Sequence, residues 1–347
     1  MEQIFKEKKQ LFNPHGSDEI SDRRMIGGNS TNLFNLENTK YKWANGMYTT
    51  MQGNHWIPEK VDMGEDAVDY KTLTKHEKRA YDEILSFLIF LDSIQTVNLP
   101  NIADYITAPE VSVLLAIQTF QEAIHSKSYA HIVQSVIPAA ERNKVYEYWK
   151  NDKILLGRNK YIADIYQEHV DNPSNESLAK VIMANFILEG LYFYNGFNFF
   201  YSLSARHKMN ATAEQIRYIQ RDELTHVSLF TQIIRELNTE NPGFITPSLA
   251  YEMMGRAVEM EIEWGNHILG DNILGINQKS TEEYTKYLAN KRLASIGFSP
   301  LYEGDVKNPY KHLNKQANEN GDVKSNFFEA TVTDYNQSSV VDGWEEI

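Results

Sequence analysis

The sequence predicts an all-α protein in which long helices form a bundle around a buried polar centre. Two observations indicate this fold class. Apolar residues recur with helical spacing over several long stretches, and no stretch alternates as an amphipathic strand does. Two of these stretches also carry the same short motif, Glu-x-x-His, in otherwise apolar surroundings. The helices are therefore expected to pack their polar motifs towards one another.

The chain begins with a segment that has no sustained hydrophobic period. Residues 1–65 contain several glycines and Pro58, and we expect them to form an N-terminal arm with short elements. The first long helix follows this arm. Thr74 and Glu77 have the spacing of a capping box, and the apolar stretch behind them predicts a helix that reaches Gln95.

The next helices are marked by proline and serine. Pro109 is a favourable first-turn residue, and it predicts a long helix that ends just before Pro138. Shorter helices are expected within residues 140–170. Ser174 then opens a long helix, rich in aromatic residues, that should continue to about Ala205. Its apolar character on all sides predicts a buried position.

Three further helices complete the expected bundle. They run from a Thr212–Gln215 capping box to Leu237, from Thr246 to Gly270, and from Ser280 to Ile296. The bundle is thus expected to occupy residues 66–308. Residues 309–347 are expected to form a polar linker followed by a C-terminal tail that is too short to build a core.

Composition excludes several classes of function. The 347 residues include 42% hydrophobic and 23% charged residues, as in globular proteins. The net charge of −13, without a basic block, argues against nucleic acid as a partner. The N-terminus lacks the continuous apolar stretch of a signal peptide, and no apolar helix is long enough to predict a membrane span. The absence of cysteine excludes disulfides and thiolate metal sites and fits a reducing compartment, so we expect a cytoplasmic protein.

Glu122 with His125, and Glu223 with His226, form the two Glu-x-x-His motifs. Positions three apart share one face of an α-helix, so each pair can direct a carboxylate oxygen and an imidazole nitrogen at one point. One such motif occurs by chance on many helix surfaces. Two of them in apolar helices predict two halves of one metal site.

Two further carboxylates, Asp92 and Glu189, lie inside apolar helical stretches. A buried, unpaired charge is costly, so each requires a cation or a proton. Single acids on two helices and Glu-x-x-His on two others form the ligand set of ferritin-like bundles, except that Asp92 here replaces one of the two single glutamates. Oxygen and imidazole ligands suit iron or manganese. Other acid and histidine neighbours are expected on helix surfaces, namely Glu168 with His169 and Glu263 with His267.

From Trp56 to the tail, the sequence resembles the β subunit of class I ribonucleotide reductases. The stretch EAIHSKSYAHI carries the resemblance most clearly, together with LDSIQ, FILEGLYFY and RDELTH. The resemblance implies a dinuclear metal centre, with two irons as the first expectation and a Mn/Fe or two-manganese pair as alternatives. Its ligands would be Asp92, Glu122, His125, Glu189, Glu223 and His226. It also implies that Tyr129, one helical turn after His125, is oxidised to a stable radical.

The resemblance assigns further roles around this centre. Phe193, Phe197, Ile216 and Ile219 match the apolar cage of the radical. Trp56, Asp222 and Tyr335 match residues of a long-range transfer path, and Asp222 could also accept a ring N–H from His125. The tail would dock on a large catalytic subunit, which must supply the cysteines that ribonucleotide reduction needs. A homodimer is implied, and activation would come from oxygen directly or from a flavoprotein-supplied oxidant.

Three other functions remain open at the level of sequence. The same ligand set occurs in other ferritin-like dimetal oxidases or monooxygenases and in iron-binding storage proteins. A metal-free helical interaction protein is the third alternative. The reductase interpretation differs from all three because it also accounts for Tyr129, Trp56 and Tyr335.

Overall fold

The structure is a computed structural model that describes residues 8–304 and 306–313. No β-strand occurs in these residues, which confirms the predicted all-α class. The α-helices of the described residues are α1 (Trp43–Gly53), α2 (Gly64–Thr72), α3 (Lys75–Ala103), α4 (Pro109–Val136), α5 (Arg142–Asn151), α6 (Lys153–Asp171), α7 (Asn175–Ile187), α8 (Tyr194–Ser204), α9 (Asn210–Glu240), α10 (Pro247–Ile268) and α11 (Gln278–Ser295). A π-helical segment, Leu188–Tyr192, joins α7 to α8, and 3₁₀ turns occur at Leu36–Asn38, Pro58–Lys60 and Lys311–Leu313.

The centre of the bundle is built from α3, α4, the α7–π–α8 segment and α9. Helices α3 and α4 lie against each other, α9 contacts α4 and α7, and the π segment packs between α7 and α9. This is the arrangement of a ferritin-like bundle, in which four helical segments surround one polar centre. No helix in the described residues is long and apolar enough to cross a membrane.

The beginning of α3 agrees with the sequence, but its end does not. The Thr74 hydroxyl accepts the N–H of Glu77, and the Glu77 carboxylate accepts the N–H of Thr74, which confirms the capping box. The predicted end at Gln95 is wrong. The helix continues past Pro100 to Ala103, because its last turns still contribute apolar side chains to the core.

The predicted capping box of Thr212 and Gln215 is wrong, because α9 already begins at Asn210. Two acids of α2 cap this helix from a distance. Asp66 accepts the backbone N–H of Thr212 at 2.7 Å, and Asp69 accepts the N–H of the residue before the helix at 2.9 Å. Carboxylates at a helix N-terminus are favourable because the amides there lack partners within the helix.

The remaining predicted boundaries are mostly close to the observed ones. Helix α4 has the predicted limits, and Thr246 caps α10 by accepting a hydrogen bond from Leu249. Helix α11 begins two residues earlier than expected, where Asn277 caps it. The predicted helix from Ser174 to Ala205 is interrupted by the π segment, which the sequence pattern did not reveal.

Two histidines expected on the surface are not fully exposed. His169 is buried, and its Nδ1 lies 2.9 Å from the Ser177 hydroxyl, so the surface assignment was wrong. His267 is half-buried and pairs with Asp152 at 2.9 Å. Their acidic neighbours Glu168 and Glu263 are exposed, as expected.

The N-terminal arm is tied to the bundle by buried charges. Arg23 donates to Glu110 at 2.9 Å, and both side chains are about 1% exposed. The Tyr41 hydroxyl donates to Glu240 at 2.6 Å, and Lys40 pairs with the same carboxylate. The arm also contains α1, a full helix. The division into arm, bundle and tail stays a proposal, and the tail lies outside the described residues.

Replacing Arg23 by Met should lower the free energy of unfolding by about 3–5 kcal/mol, because Glu110 would remain buried without its cation. Urea denaturation monitored by circular dichroism measures this loss. Replacing Lys8 by Met, which removes an exposed ion pair with Asp104, should cost less than about 1 kcal/mol. Equal losses in the two variants would contradict the interpretation of the buried pair.

Candidate metal centre

Four helical segments bring the six predicted ligand residues to one point. Asp92 projects from α3, and the two Glu-x-x-His motifs project from α4 and α9. Glu189 projects from the π segment. All six side chains are completely buried, namely Asp92, Glu122, His125, Glu189, Glu223 and His226.

These residues form two overlapping groups of four. One group combines Asp92 and His125 with Glu122 and Glu223, and the other combines Glu189 and His226 with the same two glutamates. Within each group the ligand atoms lie within 4.8 Å of one another. Two sites that share two carboxylates form a dinuclear arrangement.

The two shared glutamates direct one oxygen towards each histidine. Glu122 places Oε2 3.4 Å from Nδ1 of His125 and Oε1 3.1 Å from Nδ1 of His226. Glu223 places Oε1 3.1 Å from the first imidazole and Oε2 3.0 Å from the second. The two imidazole rings are 5.9 Å apart. This geometry suits two cations bridged by two carboxylates.

The terminal carboxylates complete each group. Asp92 lies 3.7 Å from Nδ1 of His125, and Glu189 lies 3.4 Å from Nδ1 of His226. Many of these atoms have no hydrogen-bond partner, including both oxygens of Asp92 and of Glu122. Buried polar atoms without partners are rare and costly. The donor set therefore fits metal ions, and oxygen and imidazole ligands are those of iron and manganese.

The electrostatics of the group also indicate a need for cations. Burial, together with the charges of Glu122 and Glu223, raises the pKa of Asp92 and that of Glu189 well above the usual carboxylate range. Burial disfavours a charged His125, but hydrogen bonding to Asp222 and the neighbouring glutamates outweighs burial and raises its pKa. Bound cations would replace the protons that these carboxylates otherwise retain.

Each histidine is held by an acceptor on its far side. Asp222 lies 3.2 Å from Nε2 of His125, in the position that the sequence indicated. The Gln121 amide oxygen lies 3.0 Å from Nε2 of His226. Such acceptors orient the imidazole and direct its other nitrogen to the metal. Sequence reasoning missed Gln121, although it directly precedes a ligand.

Two further glutamines that the sequence did not single out support Glu189. Gln118 donates to its Oε1 at 2.8 Å, and Gln95 donates to the same oxygen. The amide oxygen of Gln95 also accepts a hydrogen bond from the Tyr166 hydroxyl at 2.6 Å. Because Oε1 is occupied by two amides, Oε2 is left to face the centre. In the sequence, both glutamines could have been recognised as polar amides within apolar helical stretches.

Asp222 connects the centre with the surface. The indole N–H of Trp56 donates to the same Asp222 oxygen that His125 contacts, at 3.0 Å. Arg221 donates to the other oxygen at 3.2 Å. The Trp56 ring lies 5.1 Å from the Tyr218 ring and is 8% exposed, so it lies just below the surface. Trp56, Asp222 and the ligand His125 therefore form one continuous chain of contacts.

Tyr129 lies beside the first group of ligands and is completely buried. Burial and the charges of Asp92 and Glu223 raise its pKa well above the usual range. Its hydroxyl has no hydrogen-bond partner of normal geometry. The residues predicted to form an apolar cage are all fully buried, namely Phe193, Phe197, Ile216 and Ile219. Tyr335 lies outside the described residues.

Comparisons with known proteins agree with this geometry. Residues 33–309 match the family model described as the ribonucleotide reductase small chain. A ribonucleoside-diphosphate reductase subunit beta from Treponema pallidum is 46% identical over 340 residues, which cover 96% of this chain and 97% of the relative. The ribonucleotide reductase R2 subunit from Clostridium botulinum has a TM-score of 0.86 at 47% identity, with 89% of this chain and 98% of that chain covered. A Bacillus halodurans structure described as a putative class I ribonucleotide reductase has a TM-score of 0.83 at 37% identity, with 90% and 99% covered.

The shared carboxylates predict a graded loss of metal. Replacing Glu189 by Gln should remove or weaken one of two bound Mn²⁺ ions, because Glu189 belongs to one group only. Replacing Glu122 by Gln should weaken both ions, because Glu122 belongs to both groups. Metal analysis after equilibrium dialysis measures the stoichiometry. As a control, the exposed Glu263 replaced by Gln should retain two ions, and a loss confined to one ion in the Glu122 variant would contradict the bridging assignment.

Proposed function

The chain belongs to the ribonucleotide reductase small-chain family, and we propose that Tyr129 is the residue on which it stores an oxidising equivalent. The chain is the radical-generating small subunit of ribonucleoside-diphosphate reductase. This role implies a dimer and a large subunit as partner. The alternative of another ferritin-like oxidase or an iron-binding protein is not favoured, because the full-length relatives are reductase subunits.

The observation that carries the function is the position of a buried tyrosine beside a dinuclear ligand set. The chain holds a dinuclear metal centre, and we assign its ligands to the six buried residues from Asp92 to His226. When bound, such a centre supplies one-electron oxidising chemistry. We propose two irons as its metals, with a Mn/Fe or two-manganese pair as alternatives, because oxygen and imidazole ligands accept all three.

The surroundings of Tyr129 favour it over another buried tyrosine near the ligands. Oxidising a tyrosine removes an electron and the phenolic proton, so the hydroxyl needs an acceptor that can take this proton. Tyr129 interacts with the Asp92 carboxylate, which is a base placed beside the hydroxyl and able to accept this proton. Tyr166, in contrast, donates to the amide oxygen of Gln95, which is not a base.

We further propose that the stored equivalent leaves through Asp222 and Trp56. The Asp222 carboxylate contacts both the His125 ring and the Trp56 indole, which supports this route. The route would continue to Tyr335 in the tail, and the tail would dock on the large subunit. An activating flavoprotein remains an alternative to direct activation by oxygen, and the cytoplasmic location stays a prediction.

Replacing Tyr129 by Phe should abolish the tyrosyl electron-spin resonance signal while two metal ions stay bound, because no ligand is removed. Replacing Tyr201 by Phe is the matched control. Tyr201 is equally buried, but its hydroxyl binds Gln220 rather than a ligand. The control should retain the signal. A Tyr129 variant with an unchanged signal would overturn the assignment.

Deleting residues 326–347 should leave the metal content and the tyrosyl signal intact and abolish binding to the large subunit. The physical reason is that none of the six assigned ligands lies in the deleted segment, whereas the proposed docking contacts Val340, Val341, Trp344 and Ile347 do. Isothermal titration calorimetry with the large subunit measures the binding. A tail of the same composition in scrambled order is the control, and it should fail to bind as well. Undiminished binding of either variant would contradict docking through the tail.

A further inference from the structure

The π segment Leu188–Tyr192 is held by two arginines from other helices. Arg292 of α11 donates from Nε to the Gly190 carbonyl at 2.9 Å. Arg158 of α6 donates from Nη2 to the Tyr192 carbonyl, also at 2.9 Å. A π turn departs from the regular i→i+4 bonding of the α-helices on either side. Charge-assisted bonds from guanidinium groups stabilise the displaced carbonyls of this segment.

Arg292 approaches the segment so closely that a side chain at position 190 would crowd it. It is 5% exposed, and no carboxylate lies within 4.0 Å of its guanidinium in the described part of the chain. A Cβ atom on Gly190 would lie 3.0 Å from Nε and 3.1 Å from Cδ of Arg292. The guanidinium also lies 5.1 Å from the Tyr194 ring. This buried cation is therefore held against the π segment by its hydrogen bond to the Gly190 carbonyl.

Arg158 fixes the other end of the segment. Its guanidinium is stacked between the rings of Phe87 and Tyr192, at 4.0 and 3.9 Å. It also pairs with the buried carboxylate of Glu261, which accepts an amide N–H from Asn195 at 2.9 Å. The Tyr192 end is thus anchored by a neutralised pair, whereas the Gly190 end depends on Arg292.

The segment matters because Glu189 is its second residue. A single π turn rotates the helix that follows by about 100° relative to a continuous α-helix, which is the rotation of one residue. The π turn therefore sets the direction in which Glu189 projects relative to the side chains of α8. Glu189 faces the centre because of this rotation. Gln95 and Gln118 already hold the Glu189 carboxylate, so the position of this residue can still change only through its backbone.

We propose that Arg292, through its bond to the Gly190 carbonyl, is a positioning residue that keeps Glu189 directed at the second metal site. The proposal rests on the assignment of Glu189 as a ligand. A purely structural arginine would contribute to stability alone, whereas a positioning arginine must also affect the metal. Substitutions that disturb supporting contacts of a ligand weaken metal binding about 10- to 100-fold.

The test uses the full-length chain and Mn²⁺ as the probe. Free Mn²⁺ is followed by electron-spin resonance during titration, and hydrogen–deuterium exchange reports on the amides of residues 188–194. Replacing Arg292 by Leu should weaken one of two Mn²⁺ ions about 10- to 100-fold and accelerate exchange in this segment. Replacing Arg292 by Lys should restore part of the affinity, because a cation remains. Unchanged affinity for both ions in the Leu variant would overturn the proposal.

Two further variants keep the test decisive. Replacing Gly190 by Ala displaces the Arg292 side chain by a few tenths of an ångström and should weaken the same ion to a smaller extent, even if the Leu variant fails to fold. No weakening in a folded Ala variant would overturn the proposal. The buried Arg23 replaced by Met is the matched control, and it should lower stability without weakening either ion. Equal weakening in the control would show a general effect of destabilisation and would also overturn the proposal.

The Glu189→Gln variant separates this inference from the proposed function. If that variant loses one ion and the Arg292 variants do not, the ligand assignment stands and the role of Arg292 is refuted. If the Glu189 variant binds both ions as tightly as the unaltered chain, the ligand assignment itself fails, and the role of Arg292 fails with it.

Discussion

The structure depends on the mutual repulsion of four carboxylates in an interior from which water is excluded. Asp92, Glu122, Glu189 and Glu223 are packed together there, and their negative charges repel one another unless cations lie between them. Helices from distant parts of the chain therefore all need positive charge beside their buried carboxylates. An arrangement of these helices around shared metal ions meets this need. The same requirement explains why so many acceptor atoms of the group have no protein partner.

The surroundings of the group are not symmetric. The histidine of the first site is backed by a carboxylate, Asp222, and that of the second site by the neutral amide of Gln121. A charged acceptor makes an imidazole a stronger donor of electron density to a metal than an amide does. The imidazole with the carboxylate acceptor belongs to the group beside Tyr129. The second site instead has a terminal carboxylate that is restrained by amides and by the backbone of a π turn.

Much of the site could be predicted from the sequence, because its main features are local. The Glu-x-x-His spacing fixes a shared helix face, and acids such as Asp92 stand out within apolar stretches. Gln95, Gln118 and Gln121 were missed because an uncharged amide in a helix does not conflict strongly with burial. The start of α9 was misplaced because its caps, Asp66 and Asp69, belong to another helix. Periodicity cannot reveal a π turn, because one irregular turn leaves the apolar pattern on both sides intact.

The capping of α9 by α2 bears on how the chain is completed during synthesis. Asp66 and Asp69 leave the ribosome long before the helix whose first amides they bind, so the acceptors are in place when α9 emerges. His226 is the last ligand to be made. A nascent chain thus has no complete set of ligands until about two thirds of its residues have been made.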